Sequence, residues 1–288
     1  MTKKIGLIDY FLDEWHANNY PAWLRESAAE QGLDWDVAYA WADTDKPGGL
    51  HTDDWCIAHH VQRAGSLAEL VERSDALIVL SPDHPEHHLR LSELALQSGK
   101  PVYIDKTFAP DLATAAKLFE MAAAGGTPIF STSALRYSEQ LVALPAGINA
   151  DSISHLSVTG PGAFENYAVH QMEMIVALLG TAVTRVKSLS APNGGRQLLI
   201  EFEGGRQASF LQINNAPFQL LLQPKGEAEA YIVPECTGFF PELMKQMLLF
   251  FESGVPPVPR EQTLAVMALL DAGRLALDRR DEWISVAR

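Results

Sequence analysis

The sequence predicts an α/β protein of two domains, and three observations predict it. Its first half alternates short apolar strands with helices. Its second half is dominated by strands joined through hairpin turns. Its 288 residues, 47% of them hydrophobic, hold enough apolar surface for two moderate cores.

Ile5–Ile8 is a short apolar run, the mark of a buried strand. A helix is expected from His16 to Gln31, stopped by Gly32, and a second strand over Trp35–Trp41. Asp53–Glu72 reads as largely helical. Ala76–Leu80 is apolar on both faces, as an interior parallel strand should be. Pro85–Gln97 is a helix stopped at Gly99, Val102–Ile104 a strand, Leu112–Ala124 a helix ended by Gly125-Gly126, and Pro128–Ser131 a fifth strand. This alternation implies a Rossmann-like parallel sheet with helices on both faces, over residues 1–138.

Residues 139–288 read differently. Ser152–Thr159 is strand-like, and Phe164–Leu179 is a helix stopped at Gly180. Thr184–Ser190, Gln197–Phe202 and Gln207–Asn214 are strands, the last two joined by a turn at Glu203–Arg206. Phe218–Gln223 and Ala228–Val233 form another hairpin, turned at Lys225-Gly226-Glu227. Helices Phe240–Glu252 and Glu261–Arg279 close the series. The expected second domain is α+β, with a mainly antiparallel open sheet.

A formal net charge of −14, with no Lys/Arg run, argues against a nucleic acid or an acidic membrane surface as partner. No stretch approaches the roughly 20 apolar residues of a membrane span. Cys56 and Cys236 lie far apart in no CxxC pattern, and Met1–Lys4 runs straight into a strand. Unpaired thiols and a cytoplasmic protein are expected.

The residues with chemistry cluster at predicted strand ends. Lys106 directly follows a strand, with Asp105 beside it, at the sheet edge where open α/β sheets bind ligands. His170 and Glu173 are three apart on a helix, a spacing that lets a carboxylate orient an imidazole for proton transfer. Arg136 and Tyr137, after the fifth strand, could anchor a substrate oxygen. Asp43, just past the second strand, stands where dinucleotide folds hold ribose hydroxyls, and would favour NAD over NADP. The turn after the first strand has one glycine, Gly6, where a dinucleotide diphosphate asks for three, and Asp9 stands where the second is expected. Asp9, Asp13 and Glu14 would set like charge against phosphate. In Asp83–His88, His84 and His88 would lie one turn apart if both were helical; Pro85 takes His84 out of the helix and no further ligand is apparent, so no metal is expected.

Ser81-Pro82, His88, the run Ala95–Val102 containing Gly99-Lys100, and Asp105-Lys106-Thr107 together resemble the glucose–fructose oxidoreductase and inositol dehydrogenase (Gfo/Idh/MocA) family. Val169–Glu173 with Leu178-Leu179-Gly180 is similar to that family's His-x-x-Asp helix, and Pro256–Leu277 to its last helix. The resemblance implies oxidation of a sugar or polyol hydroxyl with NAD or NADP, in a homodimer or homotetramer. Lys106 would polarise the reacting oxygen, His170 would be the acid/base, and Glu173 its partner acid. Gly6, Asp9, Asp43, Ser81, Pro82, His88, Asp105 and Lys106 would meet the cofactor; Lys106, Arg136, Tyr137 and His170 the substrate. Because the glycines are lost, a cofactor-independent lyase or isomerase, or a sugar-binding protein without catalysis, stays open as the alternative.

Overall fold

A computed structural model describes residues 1–189, 195–226 and 229–287. The chain divides into two compact units: Met1–Thr132 with Pro241–Pro259, and Ser133–Phe240 with Arg260–Arg288.

The first unit is built on six parallel strands: β1 (Lys3–Asp9), β2 (Trp35–Ala42), β3 (Gln62–Arg63), β4 (Ala76–Val79), β5 (Val102–Ile104) and β6 (Ile129–Phe130). Their order, β3-β2-β1-β4-β5-β6, is that of a doubly wound nucleotide-binding sheet, with the strand order reversing beside β1. The apolar residues of β1, β4 and β5 are fully buried, as parallel strands covered on both faces require.

Helices α1 (Trp15–Gln31), α2 (Thr52–Ala58), α3 (Leu67–Arg73), α4 (His88–Leu96) and α5 (Leu112–Gly125) connect the strands. Gly32 and Gly126 end α1 and α5 in the left-handed region, at φ 65° and 64°, where a Cβ would be strained. The helix expected over Asp53–Glu72 is broken. His60 turns left-handed at φ 56°, Gln62 and Arg63 pair with Tyr39 and Ala40, and Ser66 caps a new helix through the Glu69 N–H. Pro85–His87 is a short 3-10 turn before α4. Part of α8 (Phe239–Ser253) belongs to this unit as well: Phe250 meets Phe130 edge-on at 4.8 Å, and Glu252 accepts from Trp35 Nε1 at 2.6 Å and Lys3 at 2.8 Å.

The second unit begins with a 3-10 turn at Ala134–Tyr137 and the short α6 (Glu139–Val142). Its sheet contains β7 (Ile153–Gly160), β8 (Val183–Ser188), β9 (Arg196–Phe202), β10 (Gln207–Gln212), β11 (Gln219–Pro224), β12 (Tyr231–Val233) and β13 (Trp283–Ser285), in the order β12-β11-β7-β10-β9-β8-β13. All neighbours are antiparallel except β7 and β10. β13 was not legible in the sequence, and it closes one edge by pairing with β8. Alternating burial along β8, β9 and β10 shows one covered face. Helices α7 (Phe164–Leu179) and α9 (Arg260–Asp278) pack together closely: a Cβ on Gly273 would lie 2.9 Å from Phe164 Cζ and 3.2 Å from Leu198 Cδ1. Ser190 of the expected β8 strand, and Glu227 and Ala228 of the expected hairpin, lie outside the described residues. Among the described residues, no helix is long and apolar enough to cross a membrane, and both cysteines are buried and free.

Candidate functional site

In the first unit β1 delivers Asp9 to the carboxyl edge of the sheet, and the segment Tyr10–Glu14 turns into α1. A cleft of about 300 Å³ opens there, lined by Asp9, Tyr10, Phe11, Glu14, Trp15, Lys46 and Ser81–His84. Asp9 is 1% exposed. Its Oδ1 accepts from the Tyr10 N–H at 2.6 Å, and its Oδ2 has no hydrogen-bond partner. Burial first, then the charge of Glu14, push the Asp9 carboxyl well above the usual carboxylate range.

Glu14 is the N-cap of α1, a position usually held by Ser, Thr, Asp or Asn. Its carboxylate accepts from the His16 N–H at 2.7 Å and from the Ala17 N–H. Burial raises the Glu14 carboxyl to about 7 against the pull of His16 and these N–H groups. Of the three acids in the turn, Asp13 is spent elsewhere, accepting from Leu50 N–H at 3.0 Å and Asn18 at 3.2 Å.

Behind the cleft Asp105, 1% exposed, gathers a polar network. Its Oδ2 lies 2.5 Å from His16 Nδ1, and its Oδ1 accepts from the Tyr103 hydroxyl at 3.0 Å, with the Tyr20 hydroxyl at 3.5 Å. Burial works against its ionisation, but His16, Lys106 and Tyr103 outweigh burial and hold it at about 2. The neighbouring Lys106 is 8% exposed and donates to the Pro82 carbonyl at 3.2 Å. His16 and Tyr20 were missed as site residues in the sequence, and Glu14 was named there only as a charge against phosphate. The available signal was the i, i+4 spacing of His16 and Tyr20, which puts their rings on one helix face, stacked at 5.2 Å.

The other expected cofactor residues are placed as follows. Gly6 lies inside β1, where a Cβ would collide with Ser74 Oγ and Leu70, so packing against α3 accounts for it. Asp43 is held by a two-pronged pair with Arg90, at 2.9 and 2.8 Å. Ser81 is buried with φ 77°, its hydroxyl donating to the His84 carbonyl. His88 is fully buried, its Nδ1 3.0 Å from the Phe108 carbonyl; burial lowers its pKa, so the neutral ring donates there.

In the second unit α7 carries His170 and Glu173 on one face. His170 Nδ1 lies 2.7 Å from Ser133 Oγ, and its ring meets Tyr167 and Phe218 edge-on. Glu173 is 3% exposed and accepts from Arg136 Nε at 2.6 Å. Tyr137 follows Arg136 on the same 3-10 turn. The unit therefore combines an imidazole set by a hydroxyl with a guanidinium set by a buried carboxylate.

No family model matches the chain. YhhX, an uncharacterized oxidoreductase of Escherichia coli (strain K12), is 26% identical over 164 residues, 51% of this chain, and the chain spans 46% of that relative's length. Likeness to solved structures runs end to end. The WlbA dehydrogenase of Bordetella pertussis, in complex with NADH and UDP-GlcNAcA, superposes with a TM-score of 0.76 at 16% identity, covering 100% of both chains. GenD2 from gentamicin A biosynthesis, in complex with NAD, gives 0.77 at 14% over 100% of this chain and 98% of that one. UDP-N-acetylglucosamine 3-dehydrogenase GnnA from Acidithiobacillus ferrooxidans gives 0.76 at 14% over 96% and 98%. The chain has the fold of these dehydrogenases.

Dehydrogenases of this fold hold a dinucleotide diphosphate on the free N–H groups of the first helix. Here Glu14 already takes two of those groups, and Asp9 places a second carboxyl in the same cleft. A diphosphate at this turn would compete with the Glu14 carboxylate for those N–H groups.

Proposed function

We propose that this chain is an oxidoreductase acting on a hydroxyl of a sugar-like or polyol molecule, with a nicotinamide dinucleotide as hydride acceptor. The fold shared with sugar-nucleotide dehydrogenases supports the class. The observation that carries the reading is Lys106, a nearly buried ammonium at the carboxyl edge of the parallel sheet. In this reading Lys106 steadies negative charge on the reacting oxygen. His170, its ring set through Nδ1 by Ser133, takes the hydroxyl proton at Nε2. Arg136, held by Glu173, and Tyr137 fix a second substrate oxygen. The dinucleotide, when bound, supplies hydride chemistry. Asp43 favours NAD, since its carboxylate repels a 2′-phosphate, although Arg90 offsets part of that charge.

Titration of cofactor-free protein with NADH and NADPH, read by calorimetry, tests this. Wild type is expected to bind NADH weakly, and Glu14→Ala at least tenfold more tightly, because it frees two N–H donors and removes a like charge. An unchanged affinity in Glu14→Ala would remove the cap as the obstacle. Absence of binding by both proteins at millimolar NADH and NADPH would sink the nicotinamide reading. The carboxyls of Asp9 and Glu14 in the cleft favour a second reading for that case, proton transfer by a cofactor-independent lyase or isomerase on the same scaffold.

The dimer or tetramer that the resemblance implies belongs to the same proposal. It draws support from the less buried face of the second unit's sheet, where the paired Leu221 and Ile232 are exposed. Light scattering that returns a monomer at working concentration would remove it.

A further inference from the structure

The loop between β4 and α4 brings a second set of chemical groups to the rim of the cleft. His84, Glu86 and His87 each offer one ligand atom, and these atoms lie within 4.8 Å of one another. Glu86 Oε1 is 3.2 Å from His84 Nδ1 and 4.0 Å from His87 Nε2. A tetrahedral ion with bonds of about 2.0–2.1 Å has ligand–ligand edges of about 3.3 Å. The His84–Glu86 edge is therefore already at that length, the Glu86–His87 edge closes with a shift of under about 1 Å, and the His84–His87 edge, at most 4.8 Å, closes with one of up to about 1.5 Å, all by side chains that solvent reaches.

The loop is set before any ion arrives. The His84 N–H donates to the Ser81 carbonyl at 3.0 Å, the Ser81 hydroxyl to the His84 carbonyl at 3.2 Å, and the His87 N–H to the His84 carbonyl at 3.0 Å. The His87 ring lies 4.1 Å from Tyr10, and the His84 ring 5.5 Å from Tyr10 and 5.7 Å from Phe11. Such ring packing fixes ligand orientation as outer-shell contacts do in metal sites. Around them the cleft is acidic: Asp9, Glu14 and Asp83 line it, against Lys46. The sequence pairs His84 with His88, but the structure turns His88 inward onto the Phe108 carbonyl and puts His87 beside His84.

A surface His–Glu contact by itself is worth little. Three converging donors on a fixed loop, beside an acidic cleft, are a different object. We propose that His84, Glu86 and His87 form a site for a first-row divalent cation, zinc by ligand type, with its remaining position open toward the cleft. Two imidazoles and one carboxylate with an open position is the ligand set of zinc sites that bind a water or a substrate oxygen. This proposal stands independently of nicotinamide binding.

The test uses the full chain, stripped with chelator and titrated with zinc alone by calorimetry, with metal content measured after gel filtration. One zinc per chain at micromolar or tighter Kd is expected. His87→Ala and Glu86→Gln should each weaken it at least tenfold. His51→Ala, which removes a separate His–carboxylate pair with Asp45, should leave it unchanged. The substituted side chains are partly exposed, so the metal-free variants should melt with wild type, and with one equivalent of zinc the variants of His84, Glu86 and His87 should gain less melting temperature than wild type and His51→Ala. No stoichiometric binding, or binding that survives in the His84→Ala/His87→Ala double variant, would overturn the site.

Discussion

Arg136→Ala is expected to destabilise the second unit by about 3–5 kcal/mol, because it takes the guanidinium away from the buried carboxyl of Glu173. The two side chains are 13% and 4% exposed and meet at 2.6 Å, so solvent cannot take over the charge. The corresponding fall in melting temperature is roughly 10–17 °C for a unit of this size. Glu173→Gln should cost less, since an amide needs no counter-charge. Arg136→Met combined with Glu173→Leu should recover most of the loss, as apolar replacements of buried pairs commonly do. Denaturant unfolding of the four proteins reads this directly. A loss below about 1 kcal/mol in Arg136→Ala would mean that other groups serve Glu173, and Arg136 would lose its standing as a rigidly held substrate anchor.

Asp105→Ala should have an effect of similar size on the first unit, about 3–5 kcal/mol, by leaving His16, Tyr103 and Tyr20 without their shared partner and Lys106 without a nearby opposite charge. Its pH signature is specific. The Asp105 carboxyl sits at about 2 in the fold against an ordinary 3.8, so its contribution is present above pH 4 and is lost as pH falls toward 2. Glu14 runs the other way. At about 7 against an ordinary 4.5, its ionisation is opposed by the fold, so its burden is absent below pH 4.5, grows as pH rises to 7, and is constant above that. The size of this limb is up to about 3 kcal/mol, and Asp9 shifts in the same direction. The unfolding midpoint should therefore be higher near pH 5 than at pH 8. Glu14→Gln should flatten that slope, and Asp105→Ala should remove the acid limb. A midpoint that climbs from pH 5 to pH 8 in wild type would contradict the raised Glu14 carboxyl.

The sequence by itself determined the parts of this protein that depend on residues within a few positions of each other. Apolar runs marked β1, β2, β4 and β5, and glycines stopped α1, α5 and α7, because periodicity and positive φ are local properties. Lys106 could be placed at a ligand edge for the same reason: it directly follows a strand whose pattern is plain. What only the tertiary structure decided are the meetings across distance. His16 and Asp105 are 89 positions apart, Ser133 and His170 37. Pro241–Pro259 joins the first unit because Phe250 and Phe251 have buried aromatic partners there. β3 and β13, Gln62-Arg63 and Trp283-Ile284-Ser285, lack the continuous apolar run that marks β5, and exist because β2 and β8 offer unpaired edges. The same holds for Glu14. Its spacing from β1 suggested a repelled phosphate, but only the folded turn shows its carboxylate already lying on the N–H groups that a phosphate would use.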